Sequence, residues 1–321
     1  MQWLKNAAAI SLMGWLVAVP AKAQEAEADL APVTQEQTQV LPLLDERYRR
    51  MTVPVTINGQ GPFQFMIDTG AQATVLSHAL ADHLQLTGRQ ATTLVGMAST
   101  REIQTTQIPE LGFGTSSRFD ALAALVEADN IGGADGILGL DSLQDQRILL
   151  DFENRLIEIA DLETAIDRND YDIVVKARRV GDQMIIARAR LDGVRTAVIV
   201  DTGAQGSIAN DALSRRLRRS RHSGEAEMTD INGVQQTSLL RVVRSLDLGR
   251  AQLSNFLVTF VESPTFAMLG LADEPALILG MNELRVFERV AIDFPSRRVM
   301  FDLPDGSRLP TLPTFGRLGE L

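Results

Sequence analysis

Two aspartates carry the chemistry available to this sequence. Asp68 and Asp201 stand 133 residues apart, and each ends an apolar run that turns on Thr-Gly. The first copy reads Phe63-Gln64-Phe65-Met66-Ile67-Asp68-Thr69-Gly70-Ala71, the second Ala197-Val198-Ile199-Val200-Asp201-Thr202-Gly203-Ala204. A short run rich in Val, Ile and Phe, bounded by glycine, predicts a buried strand. The glycine lets the backbone bend and come close to whatever approaches the carboxylate. Two copies in register predict carboxylates facing each other across a pseudo-two-fold axis. Like charges at hydrogen-bond distance cannot both ionise cheaply, so such a pair shares one proton and holds a base and an acid in one site. The ionised member can take a proton from water while the other protonates a carbonyl oxygen. The titration belongs to the pair, so the two aspartates are assigned jointly.

The elements that must position them are also duplicated. Val53-Pro54-Val55-Thr56-Ile57 leads through Asn58-Gly59, a hairpin signal, into the first aspartate strand. Met184 to Leu191 leads through Asp192-Gly193 into the second. Ser77 and Asn210 are N-cap residue types. The Ala79, Leu80 and Leu84 set then matches Ala212, Leu213 and Leu217 as the apolar face of a short helix. Further landmarks drift slowly apart: Gly96 with Gly233, Leu111-Gly112 with Leu248-Gly249, Ile137-Leu138-Gly139 with Ile278-Leu279-Gly280, and Asp151-Phe152 with Asp293-Phe294. Monotonic drift is what duplication with small insertions produces. The expectation is an all-β chain with an N-terminal lobe at 48–164 and a C-terminal lobe at 165–304.

Asp68-Thr69-Gly70-Ala71-Gln72-Ala73-Thr74-Val75-Leu76 resembles the active-site loop of the retropepsin-like aspartic proteases. The resemblance runs through the repeat from about residue 48 to 304. The second copy departs from it at Gln205-Gly206-Ser207-Ile208-Ala209. It implies two homologous retropepsin- or pepsin-like lobes on a single chain, with the active site at their interface, no cofactor, and an extended polypeptide as substrate. Asp68 and Asp201 would be catalytic. Thr69, Gly70, Ala71, Thr202, Gly203 and Ala204 would form the active-site loops, with the threonines bonding across the axis. The two Ile-Leu-Gly segments would pack beneath them. The family places a flap at Leu94 to Ile108, here with Val95, Gly96 and Met97 at its turn. Its counterpart is Thr229 to Leu240, turning at Asn232-Gly233. Such hairpins would exclude water and bind substrate backbone as an added strand. The rival reading is a non-catalytic peptide-binding or assembly module on the same fold.

Composition narrows the alternatives. The chain has no cysteine, which excludes disulfides, a thiol nucleophile and a Cys-based metal site. Its formal charge of −10 argues against a nucleic-acid partner. His78, His83 and His222 are the only histidines and have no aligned third ligand, so no metal site is expected. Ser207 has no histidine nearby in sequence. The run Arg215 to Arg221 reads as a charged helix face around Leu217.

The chain ends carry separate signals. Residues 1–23 combine Lys5, a short apolar core and Ala21-Lys22-Ala23, the pattern of a secretory signal peptide cut before Gln24. The resulting expectation is a bacterial, periplasmic or secreted monomer with no stable membrane insertion after cleavage. Its substrate would be a periplasmic or membrane-protein domain. Residues 24–47 read as an acidic linker or pro-segment, and 305–321 as a C-terminal tail.

Overall fold

The computed structural model describes residues 38–42, 44–45, 51–160, 170–180, 183–217 and 221–304. The signal-peptide and tail readings lie outside these residues.

Each lobe is one eight-stranded sheet, and the two sheets share a strand order. In the N-terminal lobe the order is Leu44–Asp45, Met51–Ile57, Gln60–Ile67, Gly136–Leu138, Val75–Ser77, Ser116–Val126, Thr100–Phe113 and Gln90–Val95. The second strand also pairs with the seventh, Val55 opposite Phe113, which curls the sheet towards closure. In the C-terminal lobe the order is Arg178–Val180, Gln183–Leu191, Val194–Val200, Ala276–Leu279, Ser207–Ala209, Gln252–Phe260, Gln235–Asp247 and Arg221–Thr229. The matching closure sets Leu191 opposite Leu246.

A third sheet of six strands joins the lobes. Arg147–Asp151 from one lobe pairs antiparallel with Arg289–Asp293 from the other, with Leu149 opposite Ala291. This sheet and the inner faces of both lobes share one apolar core, from Phe65 and Leu138 through Ile148 and Val290 to Leu279 and Phe301.

Local chemistry accounts for most of these elements. Phe65, Met66 and Ile67 are all buried because the aspartate strand is covered on both faces. It runs parallel to Gly136–Leu138, where a Cβ on Gly136 would lie 2.4 Å from the Phe65 ring. The Asn58-Gly59 and Asp192-Gly193 turns have φ of 50° and 72°, and 46° and 83°, the left-handed pair that a tight hairpin requires. Ser77 Oγ accepts from Leu80 N–H at 3.1 Å and Asn210 Oδ1 from Leu213 N–H at 3.0 Å, so both residues cap their helices.

Two expectations are corrected, and one stretch gains strands that composition does not mark. The first helix, His78–His83, buries Leu80 and Ala81 while Ala79 is exposed, so its apolar stripe starts one residue later than in its counterpart, which buries Ala212, Leu213 and Leu217. The arginine run is not one helix face. The helix ends at Arg216, Leu217 is buried, and Arg221 opens a strand. Within the stretch that composition marks as a linker, Thr38–Pro42 adds an edge strand to the joining sheet and Leu44–Asp45 pairs with Met51–Ile57. Edge pairing uses backbone groups, which composition does not encode.

Candidate active site

The two Asp-Thr-Gly loops meet where the lobes meet, and the threonines lock them. Thr69 N–H donates to Thr202 Oγ1 at 3.1 Å, and Thr202 N–H donates to Thr69 Oγ1 at 3.2 Å. Each hydroxyl then donates to a carbonyl in the opposite lobe, Thr69 Oγ1 to Val200 O at 2.9 Å and Thr202 Oγ1 to Ile67 O at 2.7 Å. Both threonines are buried, Thr202 with 0% exposure. All four bonds cross the lobe interface, so one loop cannot shift without the other.

This lock brings the carboxyls together. Gly70 and Ala71 N–H both donate to Asp68 Oδ1 at 2.8 Å. Gly203 and Ala204 N–H donate to Asp201 Oδ1 at 2.8 and 3.2 Å. One oxygen of each carboxyl is therefore held by its own loop. Each carboxyl lies against the glycine of the opposite loop, which sets Asp68 and Asp201 side by side. The loop glycines are required by contact: a Cβ on Gly70 would lie 2.3 Å from Asp201 Oδ2, and one on Gly203 2.2 Å from Asp68 Cγ. Burial, and then the charge of Asp68, push the Asp201 carboxyl well above its ordinary value of 3.8.

The Ile-Leu-Gly segments support the loops from below. Leu140 N–H donates to Ala71 O at 2.8 Å and Met281 N–H to Ala204 O at 2.9 Å. A Cβ on Gly139 would meet the Ala73 backbone at 2.5 Å. Beneath each loop a hydroxyl pairs with an enclosed carboxyl. Thr74 Oγ1 donates to Asp141 Oδ1 at 2.9 Å, and Ser207 Oγ donates to Glu283 Oε2 at 2.5 Å while accepting from Gly280 N–H. Burial pushes both Asp141 and Glu283 above the usual carboxylate range. Ser207, which has no histidine nearby in sequence, is thus committed to support.

Above the loops lies a cavity of about 510 Å³ lined by Asp68, Gly70, Ala71, Asp201, Gly203 and Ala204. Its roof includes Val95, Gly96 and Met97, at the turn between Gln90–Val95 and Thr100–Phe113. The second hairpin is longer than its sequence signal, with arms Arg221–Thr229 and Gln235–Asp247, and it lines the cavity with Glu227 to Ile231. Asn232 and Gly233 do not line it. Asn232 reaches the first hairpin, and Gly233 lies against Asn130, where a Cβ would be 2.8 Å from Oδ1. The roof pieces cross over: Met97 packs on the apolar cluster of the C-terminal lobe, and Ile231 on that of the N-terminal lobe.

Two contributors escaped the sequence reading. Gln183, 1% exposed, donates from Nε2 to Gly70 O at 2.6 Å, and its Oε1 has no hydrogen-bond partner among the described residues. Asp230, 4% exposed, bonds to both hairpin turns. No local signal marks Gln183. For Asp230, the only hint is an acidic residue two places before the Asn-Gly turn.

Duplicated closed sheets, a shared joining sheet and paired Asp-Thr-Gly loops define a two-lobed aspartyl-protease architecture. Comparison with known families agrees for both lobes. Residues 53–145 match the family described as "gag-polyprotein putative aspartyl protease", and residues 187–282 match the family described as "Aspartyl protease". The chain carries two aspartyl protease domains of the retropepsin-like type, one per lobe. No curated protein matches it.

Proposed function

We propose that this chain is an exported aspartic endopeptidase that cuts extended polypeptide segments by water attack. The observation that carries the reading is the pair Asp68 and Asp201. They face each other across the lobe interface, each is held by two backbone N–H groups, and both sit on the floor of a roofed cavity. A water between them gives one proton to the ionised carboxyl, and its oxygen bonds to the peptide carbonyl carbon. The protonated carboxyl donates to the carbonyl oxygen, giving a neutral tetrahedral diol. The diol then collapses: a hydroxyl proton returns to a carboxylate, the C–N bond breaks, and the leaving nitrogen takes the other proton.

The direct test incubates the protein with a proteome-derived peptide library and identifies new termini by mass spectrometry. New termini formed by the wild type, and not by the Asp68→Asn, Asp201→Asn double variant, are expected. Equal profiles overturn the enzyme reading.

The pH profile follows from the loop chemistry. Ala71 and Ala204 put no hydroxyl beside the carboxyls, so their charged state has one donor fewer than a serine loop would supply. The Asp201 group is already raised by burial and by Asp68. Both limbs of the kcat/KM profile should therefore lie at mildly acidic to near-neutral pH. Activity falls below the lower limb as the ionised member gains a proton, and above the upper limb as the shared proton is lost. Ala71→Ser with Ala204→Ser should move the acid limb downward. An unmoved limb, or a wild-type optimum near pH 2, would remove these alanines from the account.

Export and substrate complete the proposal. The pattern of residues 1–23 supports delivery to the periplasm of a bacterium, where a monomer making limited cuts in envelope proteins fits a roofed cleft. The expected mature N-terminus is Gln24, in a soluble periplasmic fraction. Full-length protein held in the inner membrane would replace this with an anchored form.

A further inference from the structure

One carboxylate holds both hairpin turns. Asp230 Oδ1 accepts from Asn232 and Val234 N–H, each at 3.0 Å, and so closes its own turn. Asp230 Oδ2 accepts from Ala98 N–H at 3.1 Å and from Ser99 Oγ at 2.7 Å, both in the turn of the other lobe's hairpin. Asn232 adds to the crossing: its Nδ2 donates to Ser99 Oγ at 3.0 Å and to Ser99 O at 3.3 Å. Arg101 donates to Asn232 O at 3.3 Å, and Thr265 Oγ1 to Gly96 O at 3.0 Å. The fit is close enough that a Cβ on Gly96 would lie 2.6 Å from Asp230 Oδ2.

The arrangement is not symmetric. With Gly96 matched to Gly233, Asp230 falls opposite Thr93 and Asn232 opposite Val95, so the N-terminal hairpin has no such carboxylate. The second hairpin closes itself and then fixes the first. A buried carboxylate with four donors is strongly held, because hydrogen bonds to a charged acceptor exceed neutral ones. Removing it would leave the buried Asn232 N–H and the half-buried Ala98 N–H unmatched.

We propose that Asp230 is a positioning residue that locks the two hairpin turns into a single cover over the paired aspartates, so that the hairpins open and close as one unit. The catalytic part rests on the reading of the site as a peptidase. The mechanical part does not. Asp230→Asn separates the two sides of the contact. Its Oδ1 still accepts in its own turn, while Nδ2 places a donor against Ala98 N–H. Ser99→Ala approaches the same contact from the other hairpin.

The chain has no native cysteine, so spin labels can be attached at Glu102→Cys and Gln235→Cys, both exposed and outside the network. The full chain without substrate should give one narrow inter-label distance distribution. Asp230→Asn and Ser99→Ala should broaden it, with an unchanged melting temperature for the lobes. In the unlabelled protein both variants should lower kcat/KM on a library-derived peptide by about tenfold or more, the equivalent of one lost hydrogen bond to a charged group. The pH limbs should not move, since the dyad is untouched. A distribution that stays narrow in both variants overturns the lock. A broadened distribution with unchanged kcat/KM overturns the positioning role. If the wild type cleaves nothing, the peptidase reading fails while the distance measurement still decides whether the hairpins are coupled.

Discussion

Asparagine in place of Asp68 or of Asp201 is expected to abolish peptide cleavage, a loss of about a thousandfold or more, while the fold persists. The carboxamide keeps the shape of the carboxyl, and its oxygen can still accept from Gly70 and Ala71 N–H, or from Gly203 and Ala204 N–H. Its nitrogen can donate to the remaining carboxylate, yet it can neither take a proton from water nor give one to a carbonyl oxygen. The two variants should be equally inactive, since the pair acts as one unit; loss in only one would break the symmetric mechanism.

Asp201→Asn should also change stability, by an amount that depends on pH. The folded Asp201 carboxyl holds its proton to a higher pH than the unfolded value of 3.8. Between those values the folded state binds more protons, so wild-type stability falls as pH rises through that window and stays lowered above it. Asp201→Asn removes the cost of placing that charge. It should melt higher than wild type at neutral pH, with the difference closing below about pH 3.8. Calorimetry of both proteins from pH 3 to 8 tests this. A variant that is less stable at neutral pH would contradict the burial argument.

The second large effect is on assembly. Thr202→Ala deletes the hydroxyl that accepts from Thr69 N–H and donates to Ile67 O, leaving two buried backbone groups without partners. At about 1–3 kcal/mol for each orphaned group, the loss is roughly 2–6 kcal/mol. Thr202→Ser keeps the hydroxyl and should lose far less, only what one buried methyl contributes. Thr69→Ala should match Thr202→Ala, and the double variant should fall short of their sum because the first loss already loosens the loop pair that the second hydroxyl holds. Urea unfolding of the four proteins measures both the losses and the coupling. Additive losses would mean that the threonines act separately and the loops are not locked to each other.

What the sequence determined by itself was local and repeated. The apolar runs before Asp68 and Asp201 form strands because those residue types fit a strand covered on both faces. Asn58-Gly59 and Asp192-Gly193 set their turns because few other residues adopt the left-handed backbone. Ser77 and Asn210 start their helices because a side-chain oxygen satisfies a free N–H within three residues. Repetition of these signals predicted the two lobes and brought the aspartates to a common axis. Tertiary structure decided the rest, through contacts between residues distant in the chain. Gln183 reaches Gly70, and Asp230 reaches Ala98 and Ser99, across 113 and more than 130 residues. Thr38–Pro42 becomes a strand only because Leu156–Ala160 offers an unpaired edge. Helix termination at Arg216 and burial of Leu217 split a run that its charge alone made continuous. A residue type carries its own backbone preferences, whereas its hydrogen-bond partner and its burial belong to whatever the folded chain sets beside it.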